Sequence, residues 1–188
     1  MPNQFTSSVY GDLETYFLTD YALLDQYIGD TLWSWGSNGE GPLGTNDRTS
    51  RSTPVTTLLG GTNWKSIACG RLHTIAIKTD GTLWSWGYNF YGNLGDNTRT
   101  FRSTPVTTLL GGTNWKSIAS QRYHTVALKT DGTLWTWGEN FNGQLGVNDT
   151  TSRSTPVTTL LGTTNWKSIA CASSHTIALT AGQSVDFS

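Results

Sequence analysis

Apolar and polar positions alternate along most of this chain, in short runs separated by turn residues. In the best-marked stretch, His73-Thr-Ile-Ala-Ile-Lys78 leads into Asp80-Gly81, and Thr82-Leu-Trp-Ser-Trp-Gly87 leads out. The runs predict strands. The Asp-Gly pair predicts a two-residue hairpin, because it suits positive φ at both central positions. Such a turn pairs Ile77 with Trp84 and Ile75 with Trp86 on a bulky face, and Ala76 with Ser85 and Thr74 with Gly87 on a thin one. Sheets with bulky and thin faces interlock as layers, so packing is the expected role of the tryptophans.

The pattern recurs at a fixed period. Trp33, Trp84 and Trp135 are spaced by 51 residues, as are Trp64, Trp115 and Trp166, Pro54, Pro105 and Pro156, and His73, His124 and His175. Three units follow without insertion or deletion, 30–80, 81–131 and 132–182, and Arg-Ser-Thr-Pro-Val-Thr-Thr-Leu-Leu-Gly recurs unchanged at 51–60, 102–111 and 153–162. A period near 50 belongs to propeller blades, not to helical solenoids. Each unit reads as four short strands: Trp115–Ala119, His124–Thr130, Thr133–Gly138 and, after a long loop, Pro156–Leu161, with the proline tolerated at a strand's start.

Trp84-Ser-Trp-Gly-Tyr-Asn-Phe-Tyr-Gly-Asn-Leu-Gly95, the Pro-Val strand and Ile67-Ala-Cys-Gly-Arg-Leu-His-Thr-Ile-Ala76 together resemble the regulator-of-chromosome-condensation repeat, and Trp137-Gly-Glu-Asn-Phe-Asn-Gly-Gln-Leu-Gly146 does so more closely still. The resemblance covers about 30–182. It implies four-stranded blades of a β-propeller, a family whose rings usually carry about seven. The family's founding member promotes nucleotide exchange on a small GTPase and contacts chromatin. Neither activity carries over to three units without a basic tail, because a fold hosts many functions. The near-identity of the units is similar to that of proteins of bacterial viruses and environmental bacteria. The fold expected is all-β: three four-stranded blades in an open arc, with a non-repeat N-terminal segment.

The ends depart from the repeat. Residues 20–28 lack the histidine and the alternation, and Tyr21, Leu24, Tyr27 and Ile28 stand near helical spacing behind a capping Asp20, which predicts a short helix. Residues 1–29 carry Asp12, Glu14, Asp20 and Asp25 with no Lys or Arg, so this arm is −4 while 30–188 is +3. Its aromatic and apolar side chains, with Tyr16, Phe17, Tyr21, Leu24 and Tyr27 foremost, suit docking onto a partner or neighbouring copy. Residues 183–188 replace a Trp-bearing strand with one lacking Trp, as a terminal capping unit would. An open arc leaves two sheet faces without partners, and two arcs could form a six-bladed ring or stack into a filament.

Differences among the units cluster after each Trp-Gly (Ser37–Pro42, Tyr88–Tyr91, Glu139–Asn142) and before each His (Cys69–Leu72, Ser120–Tyr123, Cys171–Ser174). Strand direction puts both stretches on one rim. Variable loops on a constant scaffold are where recognition sits, so Arg71, Tyr88, Phe90, Tyr91, Arg122, Tyr123 and Phe141 are the candidate contacts.

Composition then narrows the classes. Charged residues make up 13% of the 188, with a net charge of −1, so no positive field favours nucleic acid. No apolar run approaches the roughly 18–20 residues of a membrane span, and no basic-then-apolar start reads as a signal peptide; the compartment stays unassigned. A zinc ion needs nitrogens about 2.0–2.1 Å away, whereas equivalent histidines on adjacent sheets lie about 10 Å apart, so each imidazole is expected to make a structural hydrogen bond. Cys69 and Cys171 stand two units apart, too far for a disulfide. Gly60–Ser66 has Trp64 where a phosphate loop needs glycine and leads into a strand instead of a helix. No catalytic residue, cofactor or metal is expected. The first reading is a non-enzymatic structural or interaction protein that self-assembles through blade faces and N-terminal arm, in a phage particle (tail, fibre or decoration) or an extracellular assembly. The second is a soluble module binding a protein or glycan through the rim.

Overall fold

The computed structural model describes residues 30–182. The predicted helix at 20–28, the arm candidates Tyr16, Phe17, Tyr21, Leu24 and Tyr27, and the capping strand at 183–188 lie outside those residues. Every regular element described is a strand, and every pairing is antiparallel. β1 (Trp33–Gly36) and β2 (Arg51–Thr56) form one two-stranded sheet. β3 (Trp64–Cys69), β4 (His73–Lys78), β5 (Leu83–Gly87) and β6 (Arg102–Thr107) form a four-stranded meander. β7 (Trp115–Gln121), β8 (His124–Lys129), β9 (Leu134–Gly138) and β10 (Arg153–Thr158) form a second. β11 (Trp166–Cys171) and β12 (Thr176–Thr180) pair as a final half-sheet. The three repeats thus supply the strands of three blades, divided as half, whole, whole, half.

The hairpin differs from its sequence reading by one residue. Lys78 N donates to Thr82 O at 3.0 Å and Gly81 N to Lys78 O at 2.9 Å, so the loop holds Thr79, Asp80 and Gly81 rather than two residues. Gly81 takes the left-handed conformation at φ +80°, closing a three-residue turn with a glycine bulge. Asp80 Oδ1 secures it by accepting from Thr82 N at 2.9 Å and Thr82 Oγ1 at 2.6 Å. A one-residue shift moves side chains to the other face. Thr74 therefore opposes Trp86 and Ala76 opposes Trp84, while Ile75 opposes Ser85 and Ile77 opposes Leu83. Each face mixes large with small; the bulky and thin faces read from the sequence do not exist. The fourth strand also starts earlier than read. Pro105 and Pro156 are the fourth residues of β6 and β10, within the register shifts of those edge strands, where no ladder donor is needed.

The mixed faces interlock. Ile75, Ile77 and Leu83 of the first whole sheet pack onto Trp115, Ala127 and Trp137 of the second, and Trp64, Ala76 and Trp86 pack with Leu32 beside the first half-sheet. Burying each such large side chain contributes about 1.5–3 kcal/mol. Two indole N–H groups are satisfied across the interface: Trp86 donates to Pro42 O at 2.7 Å and Trp137 to Asn93 O at 2.9 Å. Lys78 lies over Trp64 (5.0 Å) and Trp84 (4.8 Å), and Lys129 over Trp115 (4.7 Å) and Trp135 (5.1 Å). Trp64, Trp84, Trp86, Trp115, Trp135 and Trp137 are packing residues, whereas Trp33 and Trp35 are 53% and 61% exposed. Two of the three histidines join blades: His73 Nε2 lies 3.0 Å from Ser120 Oγ and His124 Nε2 3.2 Å from Thr176 Oγ1, each on the following sheet, while the His175 ring makes no such bond among the described residues. Cys69 and Cys171 are free thiols.

Candidate functional site: the aromatic rim

Each blade's third strand ends on a glycine that sets the direction of the rim loop. Gly87 has φ +104°, and a Cβ there would stand 2.5 Å from Leu72 O and 2.8 Å from His73 Cα. The loop start is thereby laid against the turn before the histidine: Tyr88 N donates to Leu72 O and Glu139 N to Tyr123 O, both at 2.9 Å. The two variable stretches meet there.

A buried asparagine then organises each loop. Asn89 Oδ1 accepts Leu94 N at 3.0 Å, while its Nδ2 reaches Asp96 Oδ1, Thr98 O and Thr100 O at 3.0–3.2 Å. Asn38 and Asn140 repeat the arrangement, and all three are wholly buried. A carboxylate completes it. In the first and third loops Asp47 pairs with Arg51 and Asp149 with Arg153. In the middle loop the Thr45/Asp47 order is exchanged: Asp96 accepts Thr98 Oγ1 at 2.7 Å and pairs with Arg102 at 3.0 Å. Burial pushes the Asp96 carboxyl up, and hydrogen bonds from Thr98, Arg102 and Asn89 outweigh it, holding the group below its ordinary value. With the backbone fixed by the asparagine and the carboxylate, the intervening residues are free to vary.

On this frame the middle loop and its neighbours present six contiguous rings. Tyr88 lies 4.7 Å from Phe101 and 4.9 Å from Tyr123, ring centre to ring centre. Tyr91 lies 5.4 Å from both Tyr123 and Phe141 and 5.1 Å from Phe90, edge-on to the two phenylalanines. Phe90 and Phe141 remain 55% and 59% exposed, so the cluster is an open apolar surface rather than a core. Burial, with Tyr91, Tyr123 and two glutamates nearby, pushes the Tyr88 hydroxyl up to about 12, so it remains a neutral donor. Arginines border the patch: Arg48 lies over Phe101 at 6.0 Å, Arg122 over Tyr123 at 5.6 Å, and Arg99 donates to Phe90 O at 3.2 Å.

Of the residues read from the sequence, Tyr88, Phe90, Tyr91, Tyr123 and Phe141 are brought into one patch, with Arg122 touching it. Arg71 lies apart. Its backbone N donates to Arg122 O at 3.0 Å, and it lines a cleft of about 300 Å³ between the turns at Cys69–Arg71, Gln121–Arg122 and Ser173. Phe101 was missed, yet a signal existed: it stands where the other units have Ser50 and Ser152, whose hydroxyls accept Asn38 N and Asn140 N. The buried asparagines were missed as well, although they recur every 51 residues.

Four-stranded meanders that repeat along the chain and interlock face to face define a β-propeller-type repeat protein. The chain belongs to the regulator of chromosome condensation (RCC1) repeat family, whose pattern matches residues 30–77, 80–128 and 131–179. It is 38% identical over 118 residues to the ultraviolet-B receptor UVR8 of Arabidopsis thaliana, covering 62% of this chain and 27% of that protein. It is 33% identical over 175 residues to the human E3 ubiquitin-protein ligase HERC2, covering 89% of this chain and 3% of that one. The chain therefore spans under a third of either relative. Among solved structures, human WBSCR16 superposes with a TM-score of 0.70 at 22% identity, covering 80% of this chain and 40% of that one. Yeast RCC1 (Prp20), in a structure bound to Kap60, gives 0.68 at 23%, covering 80% and 38%. These likenesses show the fold.

Proposed function

We propose that this chain is a non-enzymatic interaction module that docks a protein partner on its aromatic rim. The observation that carries the reading is the run of six ring-to-ring contacting aromatics, partly exposed, on the rim where otherwise near-identical repeats differ. Exposed apolar patches of this kind mark interaction sites, and aromatic rings bordered by arginine are the side chains that dominate protein interfaces. Arginine donors suit the carbonyls and carboxylates of a protein surface better than sugar hydroxyls, which call for paired donors and acceptors. Protein partners of propellers of this fold support the reading: Kap60 is bound by yeast RCC1 (Prp20), and a second Prp20p structure is described with binding to Gsp1p and histones.

Phe90→Ser with Phe141→Ser removes the two most exposed rings without touching the asparagine frame. Chemical cross-linking in an extract of the source should capture a partner with the unaltered chain and lose it with the double variant at unchanged melting temperature. A partner held equally by both would refute the assignment. A second reading, a self-assembling structural subunit of a virion or extracellular array, is favoured by the free strand edges at both ends of the described arc.

A further inference from the structure

The two half-sheets are complementary parts of one blade. β12 is the third copy of β4 and β8, each of which pairs along one edge with β5 or β9. Among the described residues that edge of β12 has no partner strand. β1 is the first copy of β5 and β9, and among the described residues it pairs only with β2.

The surroundings of β12 repeat a filled seat, here with no occupant among the described residues. Pro42 O accepts from Thr74 Oγ1 at 2.8 Å and Trp86 Nε1 at 2.7 Å, and Asn93 O from Thr125 Oγ1 and Trp137 Nε1, both at 2.9 Å. Gln144 O accepts Thr176 Oγ1 at 2.8 Å and no indole. A Cβ on Gly44 or Gly95 would meet an indole at 2.9 Å, whereas one on Gly146 would find only Thr159, at 3.7 Å. Asn46 and Asn97, both left-handed, donate their backbone N to Ser103 O and Ser154 O at 2.9 Å. Asn148 holds the same conformation, φ +63°, with no such acceptor among the described residues. An open cleft of about 530 Å³ lies there, between Leu134, Gln144, Leu145, Leu161 and Ala178.

We propose that β1–β2 of a second copy of this chain fills that seat. Shifting the register of β4–β5 by the repeat period pairs Thr176 with the second copy's Trp35, Ile177 with its Ser34 and Ala178 with its Trp33, and delivers the Trp35 indole to Gln144 O. Side chains at the two open ends match the side chains buried inside. Trp35 is 61% exposed where Trp86 and Trp137 are 1% and 0%, and Ile177 and Leu179 are 59% and 62% exposed where Ile75 and Ile77 are 0%. The junction is formed twice between two copies. Each copy brings two whole blades and two halves, so a pair closes a six-bladed ring, within the usual range of about 4–8. The assignment is independent of the rim.

Light scattering at tens of micromolar should give twice the 20.5 kDa of one chain. Ile177→Lys alters a residue exposed in the single copy, so it should fold and run as a monomer, and Trp35→Ala should weaken association by about thirtyfold or more. Leu109→Lys, exposed but away from the junction, should leave the dimer intact, and Ser34→Cys with Ile177→Cys should cross-link copies on oxidation. A wild-type monomer overturns the proposal, including one whose β12 edge is covered by residues 183–188, or whose Trp35 is shielded by residues 1–29, of its own chain. So does a dimer that survives Ile177→Lys and forms no 34–177 cross-link. The Phe90/Phe141 double variant should still dimerise, which separates failure here from failure of the rim.

Discussion

Replacing Asn89 by alanine tests the idea that a buried amide holds the rim in shape. Its oxygen accepts Leu94 N at 3.0 Å, and its two N–H groups serve Asp96, Thr98 and Thr100 at 3.0–3.2 Å, with only two acceptors satisfied at once. Asn89 and Leu94 are wholly buried, so truncation strands the Leu94 N–H away from water. An orphaned buried donor costs about 1–3 kcal/mol, and each of the two lost bonds nearer solvent adds about 1 kcal/mol. The sum is about 3–5 kcal/mol. With a urea slope of about 1–3 kcal/mol per molar, the unfolding midpoint should fall by more than about 1 M. Asn89→Asp keeps the acceptor but sets a carboxylate beside Asp96, and should fall further at neutral pH. Urea melts followed by tryptophan fluorescence, with amide exchange at Leu94, would read both effects. A midpoint within about 0.3 M of wild type and an unchanged exchange rate at Leu94 would refute the argument.

Three further predictions follow from the same interfaces. Burial, with a smaller contribution from His124, holds His73 down at about 3, and burial with a contribution from His175 holds His124 at about 4. The unfolded chain takes up protons near 6.5 while the folded chain does not, so stability is full above that value and is lost as pH falls toward 4, by about 2 kcal/mol per histidine at pH 5. Melting temperatures that stay flat from pH 7 to 5 would contradict this, and His73→Gln should flatten the profile in part. Gly36→Ala meets nothing within 4 Å and should cost about 1–2 kcal/mol of backbone strain, whereas Gly87→Ala drives a methyl into Leu72 O and should cost considerably more; equal losses in denaturant melts would count against the close-approach argument. Lys129→Gln removes a cation from Trp115 and Trp135 and should lower stability by about 0.5–1 kcal/mol per ring, readable as a loss that Lys129→Arg largely restores.

Sequence reading went furthest where the repeat itself carried the information. A period of 51 residues with alternating strands and Asp-Gly turns is enough to require stacked four-stranded units, because no single unit can bury its apolar faces alone. The shared rim followed from strand direction, and the chain did bring Tyr88, Phe90, Tyr91, Tyr123 and Phe141 together. Register did not follow, because Asp80-Gly81 closes a two-residue or a three-residue loop depending on whether Thr79 joins the turn. The choice decides whether Trp86 shares a face with Ile75 or lies on the opposite one, and it is made by inter-sheet contacts such as the Trp86 bond to Pro42 O. Phe101 joined the patch only through space, from the far end of a loop whose course Asn89 sets. How strands are shared among blades was also beyond the sequence pattern, since a repeat can be cut anywhere within its period. Periodicity determines that the units stack; only the folded chain decides which strands pair, and here it leaves half a blade at each end of the described arc.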